Sequence, residues 1–416
     1  MRHLLFLSLL INVLPLLAEQ KQGPVVHPDH SVTITLDAPD AKHVSVEGSF
    51  SRKPLPMQQI DGRWTLHLDS LPAELYTYRY KLGRKKYMLD PAREQWMRDV
   101  DVMWNYFVVE DSLTHLFVDD PAASHGQLEY VWYPSTLNGM SQRRMAVYLP
   151  SQYVASDTIA LPVLYLLHGS GGDETTWSDC GRVCQILDNM FSRGLAKPCI
   201  VVMPNGIAEL DAAPGESPWM SKEPTAFNPT SMTGMIESAF VKEVVGFVDR
   251  KYRTLADREH RAIAGLSLGG LHTIYISANH PGLFDYVGLF SAQSTNMLDD
   301  ERKQLMIARA KRNSTRLRQA WGLMFNFQPD VSVFDEQLHS IKVYSGIEEK
   351  LARMAQQPPK VYYIAIGKED MLLKFNQLYL ERLDKAGIPY EFHLTEGAHS
   401  WSNWRRYLID FLPKLF

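Results

Sequence analysis

The sequence predicts two folded parts, a small all-β sandwich followed by a larger α/β domain on a mostly parallel sheet. Three observations carry this. Up to about residue 110, short segments alternate apolar and polar residues with period two, as strands with one face in a core do. From Gly126 the apolar runs become continuous and are separated by helical stretches, as in parallel strands covered on both faces. Between Arg261 and Asn279 the chain reads strand, tight turn, helix, with Gly265-Leu-Ser267-Leu-Gly269 on the turn.

At 416 residues the chain exceeds one ordinary domain. Hydrophobic residues make up 45% and charged residues 22%, enough for a substantial core. A formal net charge of -4 leaves no basic surplus for binding nucleic acid. The opening MRHLLFLSLLINVLPLLAEQ has a basic Arg2, an apolar run from Leu4 to Leu17 and a small residue at Ala18, which predicts a secretory signal over residues 1–18. The expected location is therefore secreted or periplasmic. No other apolar stretch is long enough to cross a bilayer, so no membrane association is expected after cleavage. The three cysteines, Cys180, Cys184 and Cys199, fit no zinc spacing, and their odd number leaves at least one thiol unpaired within the chain.

Residues 25–110 are assigned to the sandwich. Ser31–Leu36, His43–Glu47 and Arg63–Leu68 alternate, and Leu75–Tyr80 puts Tyr76, Tyr78 and Tyr80 on one face. Trp64 and these tyrosines either stack on glycan or pack a core, and packing is the expectation. Residues 111–125 lack periodicity and read as a connector, leaving 126–416 for the α/β domain. There, strands are expected at 128–132, 144–149, 161–167 and 199–203, and helices at 181–191 and 236–252. Between Asp299 and Lys360 the chain reads as helical and polar. The basic run Arg309, Lys311, Arg312, Arg316 and Arg318 there suits a solvated face, with a cap beside the site as a further possibility.

A serine on so sharp a turn needs glycine neighbours, and its hydroxyl is a poor nucleophile until an oriented base removes the proton. The strand ending at Ile366 opens into Gly367-Lys-Glu369-Asp370, which offers two candidate acids. The next strand leads through Gly397 to His399, a base on a free loop, whereas His393 lies within the strand. The glycine-rich loop Gly169-Ser170-Gly-Gly172 follows a buried strand, so the N–H groups of Ser170 and Leu268 are expected to form an oxyanion hole. No Lys-Ser/Thr pair follows that loop, which argues against a phosphate cradle. Trp177, Trp219 and Trp401 are candidates for stacking on a sugar or phenol, or for packing. This chemistry needs no metal and no cofactor.

The segments LYLLHGSGGDETTW, ILDNM, IVVMPNG, AIAGLSLGG, HPGLFDYVGLFSA, IGKEDM and EGAHSWSNWRRYLIDFLPKLF occur in the order seen in the esterase D or feruloyl esterase group, carbohydrate esterase family 1 of the α/β hydrolases. The second domain resembles that group across nearly all of residues 126–416. GSF, DGRWTLHL, YRYKL and LDP likewise resemble the early-set, glycogen-binding-like modules joined to exported xylan-active esterases. The resemblance implies Ser267 as nucleophile, Asp370 rather than Glu369 as acid and His399 as base. It implies an esterase removing feruloyl or acetyl groups from xylan or its oligosaccharides, with plant cell-wall esters as partners. Enterochelin esterases also join a β-sandwich to this hydrolase and mycolyltransferases share the hydrolase fold, so a siderophore esterase or an acyltransferase are the enzymatic alternatives. A glycan-binding protein with an inactive hydrolase domain is the non-enzymatic one.

Overall fold

The computed structural model describes residues 23–84, 86–217, 234–294 and 342–416. The expected signal, Trp219 and the basic run at 309–318 lie outside the described residues. The chain divides into two compact units, one of residues up to 96 with 105–109, the other of residues 97–104 with 110–416.

The smaller unit is an antiparallel sandwich. Its sheets are built from β1 (Val25–Val26), β2 (Val32–Leu36), β3 (Val44–Gly48), β4 (Leu55–Pro56), β5 (Gln58–Ile60), β6 (Arg63–Leu68), β7 (Glu74–Leu82) and β8 (Lys86–Met88), with β9 (Trp96–Asp99) and β10 (Val102–Val109), of which residues 97–104 group with the larger unit. One sheet runs β1-β2-β6-β5, the other β4-β3-β7-β10-β9 with β8 on β7. Burial alternates along β2 and β3 as the period-two pattern requires. Val32, Ile34, Val46, Trp64, Tyr76, Tyr78, Tyr80 and Phe107 share one core. Trp64 and the three tyrosines are thus packing residues, and the Trp64 indole N–H is satisfied by the Ala38 carbonyl at 3.0 Å.

The larger unit is an α/β hydrolase fold on an eight-stranded sheet. Its strands are β11 (Gln127–Pro134), β12 (Gln142–Leu149), β13 (Val163–Leu167), β14 (Ile200–Pro204), β15 (Arg261–Leu266), β16 (Tyr286–Phe290), β17 (Val361–Gly367) and β18 (Glu391–Thr395), in the order β11-β12-β14-β13-β15-β16-β17-β18. β12 pairs antiparallel with both β11 and β14, and all the other pairs are parallel. Every residue of β13, β14, β15 and β16 is buried, which explains a sequence apolar throughout but for Arg261, which is paired with Asp249 at 2.9 Å.

Two single-turn helices, α1 (Ser151–Val154) and α2 (Thr176–Asp179), precede α3 (Val183–Ser192). The helix expected over 236–252 is α4 (Met235–Phe240) and α5 (Gly246–Lys251) joined through a π-helical turn at Val241–Val245. Then come α6 (Leu268–Asn279), α7 (Ile347–Met354), α8 (Leu373–Ala386) and α9 (Trp401–Phe411). No helix among the described residues is long and apolar enough to cross a membrane. Residues 111–125 are irregular save for one 3-10 turn at Thr114–Leu116. They are nonetheless tied to α3, where the Asn189 amide donates to the carbonyls of His115, Leu116 and Val118.

Strand order reverses around β13, whose neighbours are β14 on one side and β15 on the other. Loops leaving the carboxyl ends of β13 and β15 therefore diverge there, and such a reversal is where open α/β sheets bind ligands.

Candidate active site

Ser267 follows β15 immediately and precedes α6, with φ 51° and ψ −115°. A non-glycine residue at this φ is strained, and the surroundings hold it there. Its N–H donates to the Phe290 carbonyl at 3.0 Å, and its own carbonyl accepts from Gln293 at 2.8 Å. A Cβ on Gly265 would lie 2.3 Å from the carbonyl carbon and oxygen of Gly269. One on Gly269 would lie 2.5 Å from the Leu167 oxygen and 2.6 Å from that of His168. Both are backbone atoms with nowhere to go, so the two glycines that flank the serine are required by close approach of α6 to β13 and β15.

The β13 loop passes directly beside the nucleophile candidate. A Cβ on Gly169 would sit 3.2 Å from the Ser267 Cβ, which brings the Gly169–Ser170 backbone against the serine. Leu268 is the first residue of α6, and the first-turn N–H groups of a helix have no intrahelical partner. The loop itself is fixed by His168, which is buried. Its Nε2 accepts from the Gly206 N–H at 2.7 Å, so Nδ1 carries the proton and donates to the Gly169 carbonyl at 2.8 Å. Burial, chiefly, pulls the His168 pKa down to about 4, and the nearby His272 and Arg143 act in the same direction.

Asp370 and His399 come from the loops after β17 and β18. Those loops are joined through backbone, Lys368 N–H to the Thr395 carbonyl at 2.8 Å and Glu369 N–H to that of Gly397 at 3.0 Å. His399 Nδ1 lies 2.9 Å from Asp370 Oδ2 and 3.2 Å from Oδ1. The aspartate side chain is fully buried and the histidine 15% exposed. Oδ1 also accepts from the Leu372 N–H at 2.8 Å, which fixes the carboxylate plane. Glu369, the rival acid, is exposed, and the His399 imidazole is paired with Asp370. Among the described residues no hydrogen bond joins the Ser267 hydroxyl to His399. Nucleophile–base hydrogen bonds in ligand-free enzymes are often long, so this geometry is compatible with the pair working together.

Trp177 is not a stacking surface. Its ring is 1% exposed, its N–H donates to the Leu167 carbonyl at 3.1 Å, and it packs edge-on against Phe290 and Trp401. Five residues after Gly172, it is a core residue against the end of β13. Trp401 is partly exposed and packs edge-on between Trp177 and Trp404, at 5.4 and 5.1 Å. Sequence reasoning missed two supports of His399. The Trp404 ring meets the imidazole edge-on at 4.8 Å, and the Asn403 amide donates to the carbonyls of Glu396 and Ala398. Both sit in the first turn of α9, and the only signal was their proximity to His399 in sequence. The three cysteines are free thiols.

The Esterase family model matches residues 138–415. This chain belongs to the Esterase family. Among curated relatives, an endo-1,4-beta-xylanase/feruloyl esterase of Xylanibacter ruminicola is 34% identical over 171 residues, 40% of this chain and 22% of that protein. An esterase of Mycobacterium tuberculosis is 27% identical over 260 residues, 61% of this chain and 51% of that protein. The chain thus spans about half, or less, of the length of these two relatives. Two solved structures share the fold. A ferulic acid esterase from Anaeromyces mucronatus, in complex with ferulic acid, aligns over 72% of this chain and 94% of its own with a TM-score of 0.53 and 22% identity. The enterobactin esterase from Shigella flexneri aligns over 95% of this chain and 96% of its own with a TM-score of 0.62 and 16% identity.

Proposed function

We propose that this esterase-family chain hydrolyses carboxylic esters through an acyl-enzyme on Ser267, and that its substrates are feruloyl or acetyl esters of xylan or xylo-oligosaccharides. The observation that carries the reading is the hydrogen-bonded His399–Asp370 pair at the carboxyl ends of the sheet that presents Ser267 on its strained turn. In this reading His399 Nε2 takes the proton as Ser267 Oγ attacks the ester carbonyl. Asp370 holds the imidazole in the required tautomer and stabilises its charged form. The developing oxyanion is met by the N–H groups of Ser170 and Leu268, aimed before the reaction begins. The alkoxide leaves with the proton from His399, and water, activated by the same base, releases the acid. Plant cell-wall esters are favoured by the relative from Xylanibacter ruminicola, whose name joins xylanase to feruloyl esterase. Secretion is proposed from the apolar opening of the sequence.

The test is parallel release of acetate and ferulate from acetylated xylan and feruloylated arabinoxylan oligosaccharides, with Ser267→Ala as the blank. Ferulate release above the blank is the expected result, or acetate release if the acyl pocket is small. Release of neither acid, with hydrolysis of catecholate siderophore esters instead, would replace the xylan reading with the one favoured by the 95% coverage of the enterobactin esterase fold.

A further inference from the structure

Residues 97–104 group with the larger unit, and two of them reach the loops that carry the proposed chemistry. Arg98 Nη2 donates to Asp173 Oδ2 at 2.5 Å and to Thr175 Oγ1 at 3.1 Å. Its other terminal nitrogen donates to the Val100 carbonyl at 2.8 Å, which holds the guanidinium in place. Asp173 follows Ser170 by three residues, and its side chain is 1% exposed. Its Oδ1 accepts from the N–H and hydroxyl of Thr175 at 2.9 and 2.8 Å, so one carboxylate oxygen closes the loop on itself and the other is held by Arg98. Next along, Asp99 Oδ1 accepts from the Trp401 indole at 3.3 Å. Trp401 packs on Trp404, whose ring abuts His399.

The glycine loop has only the Ser170 side chain with which to fix its own conformation. Its anchors are His168 at the start and Asp173 at the end, and a buried carboxylate is a firm anchor only while a cation meets it. We propose that Arg98 is a positioning residue for ester hydrolysis. By gripping Asp173 it sets the Gly169–Ser170 backbone where the Ser170 N–H meets the oxyanion that forms on the carbon attacked by Ser267. The proposal rests on the ester-hydrolase reading above and adds to it a residue far away in sequence, which touches neither substrate nor nucleophile.

The test uses the full chain, p-nitrophenyl acetate as substrate and phenylboronic acid as a probe whose tetrahedral adduct on serine mimics the transition state. A parent chain without Ser267-dependent activity overturns the ester-hydrolase reading, and the positioning role with it. In an active parent, Arg98→Gln and Asp173→Asn each lower kcat/KM roughly ten- to a hundredfold, the scale of a sub-ångström to ångström misplacement. The loss falls on kcat with KM little changed, and boronic acid binding weakens by a similar factor. The double variant is no worse than either single one, because the two residues act as one device. Arg98→Lys keeps the charge and recovers part of the loss, and it carries the same test if Arg98→Gln does not fold. Unchanged kcat and boronic acid affinity in a folded variant overturn the proposal. So does lost activity with normal boronic acid affinity at the remaining active sites, since the pair would then stabilise the fold and nothing more.

Discussion

His168 makes the folded state sensitive to acid, and the size of the effect follows from its two hydrogen bonds. Gly206 offers only a donor, so a proton added at Nε2 would face another N–H at 2.7 Å inside a buried site. A histidine exposed on unfolding titrates near pH 6.5, whereas this one titrates at about 4 in the fold. Between those values the unfolded chain binds a proton that the folded chain does not, so stability falls as the pH falls through that window. The slope approaches about 1.4 kcal/mol per pH unit, and the whole window is worth about 3 kcal/mol. Above about pH 6.5 neither state is protonated, and the contribution is constant. The assay is denaturant unfolding of the parent and of His168→Gln, which cannot titrate, at intervals from pH 4 to 7. The parent should lose stability more steeply on acidification, and its ring nitrogen resonances should keep the neutral Nδ1–H tautomer at pH 5. Parallel slopes in the two proteins, or a protonated His168 ring at pH 6, would refute the reasoning.

Two further substitutions test other links. Asp370→Asn preserves shape and the oxygen that accepts from Leu372. It presents His399 Nδ1 with a neutral partner, so kcat should fall by roughly 10³–10⁴-fold while thermal stability changes little. Steady-state kinetics beside a melting curve check this. Gly269→Ala drives a methyl into the carbonyl oxygens of Leu167 and His168 at 2.5 and 2.6 Å, and should cost about 1–3 kcal/mol in chemical denaturation together with most activity.

The parts legible in the sequence were those with a local cause. Continuous apolar runs announced β13, β14 and β15 because both faces of that sheet are covered, and Gly265 and Gly269 announced the turn because no Cβ fits there. His399 was legible as a loop residue between a strand and a helix. What escaped was set by distance along the chain. Arg98 meets Asp173 across 75 residues, and nothing in either neighbourhood marks them as partners. The choice between Asp370 and Glu369 turns on which carboxylate the loop buries, and two adjacent acids in a polar turn do not reveal that. For Trp177 the sequence left stacking and packing open; its burial follows from the strand end against which α2 packs. The π-helical turn at Val241–Val245 left the apolar periodicity of 236–252 readable while shifting the helix by one residue.

Ser267 itself carries a consequence for how this chain can be made more robust. A serine held at φ 51° and ψ −115° costs on the order of 1–3 kcal/mol relative to relaxed backbone, and glycine would hold the same turn at lower energy. The proposed nucleophile is thus among the less comfortable residues in the fold. Selection for thermal endurance alone would drift toward Ser267→Gly, a sturdier protein with nothing left to acylate. Stabilisation that spares function has to come from elsewhere, in the sandwich or on the outer helices, away from this turn.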